Sequence, residues 1–156
     1  MTPRDLEQYL HERVPLSKAM QVTVVELAPE QVVLSAPLAP NINLHETVFG
    51  GSISAVAMLA AWSLLHTRLT HSGLSARLVL KRNTMNYEAP ISGNFSAIAS
   101  APDTKSWEAF VRMVAQRGRA RITVSAVIEH QGGVAGRFEG EFVALGQHEY
   151  VESGQR

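Results

Sequence analysis

Asn41-Ile42-Asn43-Leu44-His45-Glu46-Thr47-Val48-Phe49-Gly50-Gly51-Ser52 leads into Ile53-Ser54-Ala55-Val56-Ala57-Met58-Leu59-Ala60-Ala61-Trp62-Ser63-Leu64-Leu65, and this passage decides the fold. Ala, Leu and Met are strong helix formers, and the second run holds neither Pro nor Gly, so it predicts one long helix over about 48–69. It has no polar stripe. A helix that is apolar on every side has to be buried on every side. The other segments read mostly as strands, so the expected architecture is a sheet wrapped around this helix. Its polar entrance is where chemistry is sought.

Working outward toward the N-terminus, 31–36 and 21–27 are rich in β-branched residues and read as two strands, with Ala28-Pro29-Glu30 as the turn. Residues 4–13 form a short amphipathic helix with Leu6, Tyr9 and Leu10 on one face, ended by Pro15. Toward the C-terminus, Gly73 marks a turn, and 76–87 is a long strand whose second half is unusually polar. A further strand covers 95–100. Asp103 is the expected N-cap of a second amphipathic helix carrying Trp107, Phe110, Val111 and Val114, with Gly118 as its stop. Ile122, Val124, Ala126 and Ile128 alternate along one strand of a hairpin, and Phe138, Gly140 and Phe142 along the other, around Gln131-Gly132-Gly133. The chain reads as α+β: one domain over 1–146 and a polar tail over 147–156. A helix inside a curved sheet leaves edges in need of cover, so an oligomer is expected.

Composition narrows the function classes. The 14 basic and 14 acidic side chains cancel, which argues against nucleic acid as a partner. There is no cysteine, so disulfides, thiolate metal sites and thiol nucleophiles are excluded, and a cytoplasmic location is compatible. Residues 48–65 approach the length of a membrane span, yet Gly50, Gly51, Ser52, Ser54, Ser63 and the many alanines argue against one. His66 and His71 lack the spacing of a metal pair and have no third ligand, so no metal site is expected. No Gly-x-Ser-x-Gly elbow and no phosphate loop occur.

The order of elements resembles the hotdog fold, in which an antiparallel sheet wraps a long central helix. Asn41-Ile42-Asn43 followed by Thr47-Val48-Phe49-Gly50-Gly51-Ser52 at the head of an Ala/Leu-rich helix is similar to the thioesterase family of the YiiD C-terminal-domain type. Phe138-Glu139-Gly140-Glu141-Phe142-Val143-Ala144-Leu145 resembles that family's last strand. The resemblance spans roughly residues 20–145. It implies hydrolysis of an acyl thioester whose thiol belongs to coenzyme A or an acyl carrier protein. Coenzyme A or phosphopantetheine then enters only as part of the substrate, and no separate cofactor is implied. It also implies a homodimer, or a dimer of dimers, with active sites between subunits. Some members carry this domain behind an acetyltransferase domain, for which this chain has no room.

Thioester hydrolysis needs donors for a developing oxyanion, a base or nucleophile, and a groove for the acyl chain. Gly50, Gly51 and Ser52 can supply the donors. Glycine admits close approach to the backbone, first-turn amides lack intrahelical acceptors, and the helix dipole adds positive potential there. Gly51 is the central donor, with Phe49 beside it as a substrate contact. The helix body from Ile53 to Leu65 holds no Asp, Glu or His, a departure from hotdog enzymes with a carboxylate there. The base is therefore sought in the preceding loop. Glu46 is a candidate nucleophile or base, and His45 a base or carbonyl partner. Asn43 is placed to position water, Thr47 to bond the thioester or cap the helix, and Asn41 to bind substrate or serve as a turn residue. Glu46 would also be stabilised by the helix dipole without doing any chemistry.

Asn83, Asn86 and Tyr87 on the long strand are candidates to complete the site of a partner subunit, Asn83 and Tyr87 facing one way and Asn86 the other. Arg117, Arg119 and Arg121, with Arg82, are candidates for coenzyme A phosphates or the acidic face of a carrier protein, Arg119 foremost. Trp62 and Trp107 are expected in the core, and Met58 against an acyl groove. Two competitors stand beside hydrolysis. One is a hotdog dehydratase, which the missing helix carboxylate disfavours. The other is a non-catalytic acyl-thioester-binding or structural module.

Overall fold

In a computed structural model, residues 1–146 are described. The elements run α1 (Pro3–Arg13), α2 (Pro15–Ala19), β1 (Thr23–Leu27), β2 (Gln31–Ala36), a 3-10 turn (Ala39–Asn41), α3 (Gly50–His71), β3 (Ala76–Tyr87), β4 (Phe95–Ser100), α4 (Thr104–Arg117), β5 (Arg119–His130) and β6 (Gly133–Gly146). The expected order holds. The tail over 147–156 lies outside the described residues.

One six-stranded sheet is formed in the order β1-β2-β4-β5-β6-β3, every pairing antiparallel. β5 and β6 join through Gln131 and Gly132, both at positive φ (51° and 76°), as a tight hairpin turn requires. Their inner rows match the alternation read from the sequence: Ile122, Val124, Ala126, Ile128, Phe138 and Phe142 are all buried. A Cβ on Gly140 would lie 2.8 Å from the Phe138 ring and 3.0 Å from that of Phe142, so the glycine lets two core rings close over one position. Fold class is as expected: a hotdog arrangement, with α3 lying across the inner face of the sheet.

α3 is not covered evenly. Ile53, Val56, Ala57, Ala60, Ala61, Leu64, Leu65 and Leu69 are buried. Ser54, Ala55, Met58, Leu59, Trp62 and His66 form a half-buried row on another side. The C-terminal half of that row is covered by α1, where Tyr9 stacks on Trp62 and His66 in three nearly parallel rings. The helix also begins at Gly50, two residues later than expected. α2 was not foreseen. Pro15 stops α1, yet its fixed φ also suits the first position of the next helix, where its missing N–H costs nothing.

The capping expectations for α4 hold. The Asp103 carboxylate accepts from the Ser106 amide at 2.8 Å, and Gly118 closes the helix at φ 69°. β4 ends at the pair Ser100 and Ser125, so the first residues of β5 have no strand on that side. α4 lies along this free margin, with Phe110 and Val114 in the core. β1 and β3 are the edges of the sheet, and β3 is a 12-residue edge whose second half is exposed on both faces apart from Met85. No helix among the described residues is long and apolar enough to cross a membrane.

Candidate active site

The entrance to α3 is pinned by main-chain bonds. Ile42 and Val48 form an isolated antiparallel bridge, the Phe49 amide donates to the Asn41 carbonyl at 2.7 Å, and the Val48 amide donates to the Ile91 carbonyl at 2.8 Å. Ile91 was not singled out from the sequence, and a contact made only through its carbonyl leaves no side-chain signal to find it by. Asn41 is buried, and its amide donates to the Met20 and Pro37 carbonyls at 3.0 and 2.8 Å. It therefore braces the loop and is not open to substrate, a correction to its expected binding role.

Between Ile42 and Val48 the chain makes a compact turn organised by Asn43. Its Oδ1 accepts from the amides of His45 (2.8 Å) and Thr47 (3.2 Å), and its Nδ2 donates to the Thr47 hydroxyl at 3.0 Å. Thr47 is thus engaged inside the turn and does not cap α3. The cap residue is Phe49, which supplies no side-chain bond. Glu46 sits at the turn with φ 63°, a left-handed conformation set by its amide donating to the Asn43 carbonyl. Glu46 and His45 are both exposed, and among the described residues neither side chain has a hydrogen-bond or ionic partner.

The uncapped helix start is the chemically distinctive point. The Phe49 carbonyl takes the amides of Ser52 (3.0 Å) and Ile53 (3.2 Å). Among the described residues the amides of Gly50 and Gly51 have no acceptor. Two rings flank them. The Phe49 ring lies against the Cα of Gly51 closely enough that a Cβ there would collide with it, and Phe49 itself is 58 % exposed. On the other side, the Tyr87 hydroxyl donates to the Gly50 carbonyl at 3.0 Å, and its ring lies 3.4 Å from where a Gly50 Cβ would stand. Two free N–H groups at a helix N-terminus, bounded by aromatic rings, can receive an oxyanion or a polarised carbonyl.

Tyr87 meets the helix entrance of its own chain, whereas the sequence suggested a role across a subunit boundary. Asn83 and Asn86 remain exposed on the same strand, opposite Gly140 and Arg137, without side-chain bonds among the described residues. Met58 is half-buried in the open row of α3. The arginines lie elsewhere. Arg117, Arg119 and Arg121 line a separate groove beside α4, and Arg82 and Arg121 both approach Glu141, at 3.4 and 3.6 Å. No cluster that could hold a metal ion occurs among the described residues.

A family model described as "Putative thioesterase (yiiD_Cterm)" matches residues 3–146. A crystal structure of a protein of unknown function from Chlorobaculum tepidum superposes with a TM-score of 0.88 at 27% identity, over 93% of this chain and 94% of that one. A "putative thioesterase" from Shewanella oneidensis matches with a TM-score of 0.82 at 28% identity, over 92% and 96% of the two chains. A thioesterase from Haemophilus influenzae shares the fold at 11% identity, with a TM-score of 0.75 over 94% and 92%.

Proposed function

Because the chain belongs to the thioesterase family of the YiiD C-terminal-domain type, we propose that it hydrolyses acyl thioesters at the entrance of α3. The observation that carries this reading is the pair of unpartnered amides on Gly50 and Gly51 at an uncapped helix start. A thioester carbonyl lying against them gains two donors and the helix dipole, which together are worth about 3 kcal/mol as charge builds on the oxygen. Phe49 bounds the acyl side, and Met58 with the open row of α3 receives the chain. Glu46 is the proposed base: its carboxylate takes a proton from water as the water attacks the carbonyl carbon. The tetrahedral intermediate then expels the thiolate of the carrier. His45 is the alternative proton acceptor. Ser52 belongs to this reading as the neighbour of the donor pair, and Asn43 and Thr47 as the brace of the turn that presents Glu46.

The substrate is an acyl thioester carried by coenzyme A or by an acyl carrier protein, and the active form is a homodimer or dimer of dimers joined through β3. The exposed outer edge of that strand supports this, with Asn83 and Asn86 available to a second copy. A second reading is favoured by one observation, the lack of any partner orienting Glu46 or His45: the site binds thioesters without turning them over.

Thiol release from a panel of acyl-coenzyme A esters, short to long, tests the proposal. Turnover by the wild type that drops about a hundredfold in Glu46→Gln supports the carboxylate as base. Turnover that survives in Glu46→Gln and is lost in His45→Ala moves the role to the histidine. Tight binding without thiol release from any ester or acyl carrier protein leaves the binding module as the answer.

A further inference from the structure

One large cavity lies away from the helix entrance. It is a groove of about 1060 Å³ between α4 and the β5–β6–β3 side of the sheet. Four cations reach it: Lys81 from β3, Arg117 from the last turn of α4, and Arg119 and Arg121 from β5. Gly118, at φ 69°, turns the chain so that Arg117 and Arg119 flank a single residue, and Arg119 and Arg121 share a strand face about 7 Å apart. Two carboxylates line the same groove, and both are engaged. Asp103 caps α4 through the Ser106 amide and hydroxyl, and Glu141 is shared by Arg82 and Arg121. Among the described residues, Lys81, Arg117 and Arg119 have no carboxylate partner. Three unpaired cations thus face one concavity in a chain whose formal charge is zero. The floor is apolar, with Phe110 buried and Met113 partly exposed.

We propose that this groove binds a nucleotide carrying several phosphate groups, and that the nucleotide is the adenosine end of a coenzyme A thioester. Arginine forks and a lysine ammonium suit phosphate oxygens, and the apolar floor suits a flat base. The volume matches a cofactor-sized ligand, whereas a docked carrier protein would need a footprint of roughly 800 Å². The inference rests on the thioester reading above and selects coenzyme A as the carrier. Within one chain the groove lies toward the Ala76 end of β3, and the Gly50–Gly51 amides lie at its Tyr87 end. A twofold pairing of two β3 edges runs antiparallel, so the groove of one copy comes beside the helix entrance of the other.

Calorimetry with adenosine 3′,5′-bisphosphate, which has no thiol, tests the site independently of hydrolysis. The wild type binds it, and the double variant Arg117→Gln/Arg119→Gln weakens binding about tenfold or more. Both positions are exposed, and thermal melting verifies that the variant folds. No binding by the wild type, or equal binding by the variant, overturns the proposal. Kinetics then identify the source of the nucleotide through a cycle of two truncations. If the groove holds substrate, removing the nucleotide by using an acyl-pantetheine lowers kcat/KM in the wild type and costs the variant much less. A free nucleotide that instead changes the rate on acyl-pantetheine keeps the site but makes the occupant an effector, overturning the coenzyme A assignment. A protein that binds the bisphosphate and hydrolyses nothing retains the site and refutes the thioesterase reading.

Discussion

Tyr87 and Asn41 show how single side chains hold the entrance of α3 through hydrogen bonds to its main chain and to the loop before it. The Gly50 carbonyl and the Gly51 N–H belong to one planar peptide and point in opposite directions. By donating to that carbonyl, the Tyr87 hydroxyl fixes the direction of the Gly51 donor. Tyr87→Phe keeps the ring and removes the bond. Steady-state kinetics should show kcat lowered about fivefold to tenfold, matching roughly 1 kcal/mol of lost orientation, with KM little changed. An unaltered kcat would mean the peptide is held by the helix alone. Asn41→Ala should act on stability, because it strands the buried Met20 carbonyl and the part-buried Pro37 carbonyl that its amide serves. Urea denaturation is expected to show a loss of about 3 kcal/mol. The difference between these roles was not legible in the sequence. Asn41 and Asn43 both read as polar loop residues, and only the folded path shows that one is buried and the other organises a turn. Thr47 had the chemistry of a cap two residues too early, and nothing in the residue types distinguishes that register.

At the scale of elements, the fold was legible wherever one periodicity dominated, as in the alternation of β5 and β6 and the amphipathic pattern of α4. It was less so for α3, where alanines and leucines on all sides hid a half-buried row that only its neighbours define. Tyr9 of α1 covers part of that row by stacking on Trp62 and His66, with ring centroids 5.5 Å apart for Tyr9 and His66 and 4.6 Å apart for Trp62 and His66. Burial in this stack lowers the His66 pKa below its ordinary value of 6.5. The unfolded chain therefore binds a proton at a pH where the folded chain still resists it. Stability is fully present above about 6.5 and is lost as the pH falls from there through the folded pKa. Thermal melts between pH 7.5 and pH 5 should show a decline for the wild type that is shallower in His66→Gln. Parallel curves for the two proteins would remove the histidine from the pH response.

For the whole molecule, the unpaired outer edge of β3 and the open N-terminal half of the α3 row are surfaces that a single chain leaves uncovered. A long bare edge favours pairing with another strand. Sedimentation at micromolar concentration is expected to give a dimer or a dimer of dimers, and a monomer that still hydrolyses thioesters would place the complete site within one chain. The seams inside the chain can be followed separately, because its two tryptophans stand at different ones. Trp62 lies where α1 rests on α3, and Trp107 lies under the Arg68 guanidinium where α4 meets the far end of α3. Replacing Trp107 with phenylalanine leaves a single emitter beside His66, a ring whose protonated form quenches indole light. The protein thereby carries its own optical gauge of whether the N-terminal helix is seated.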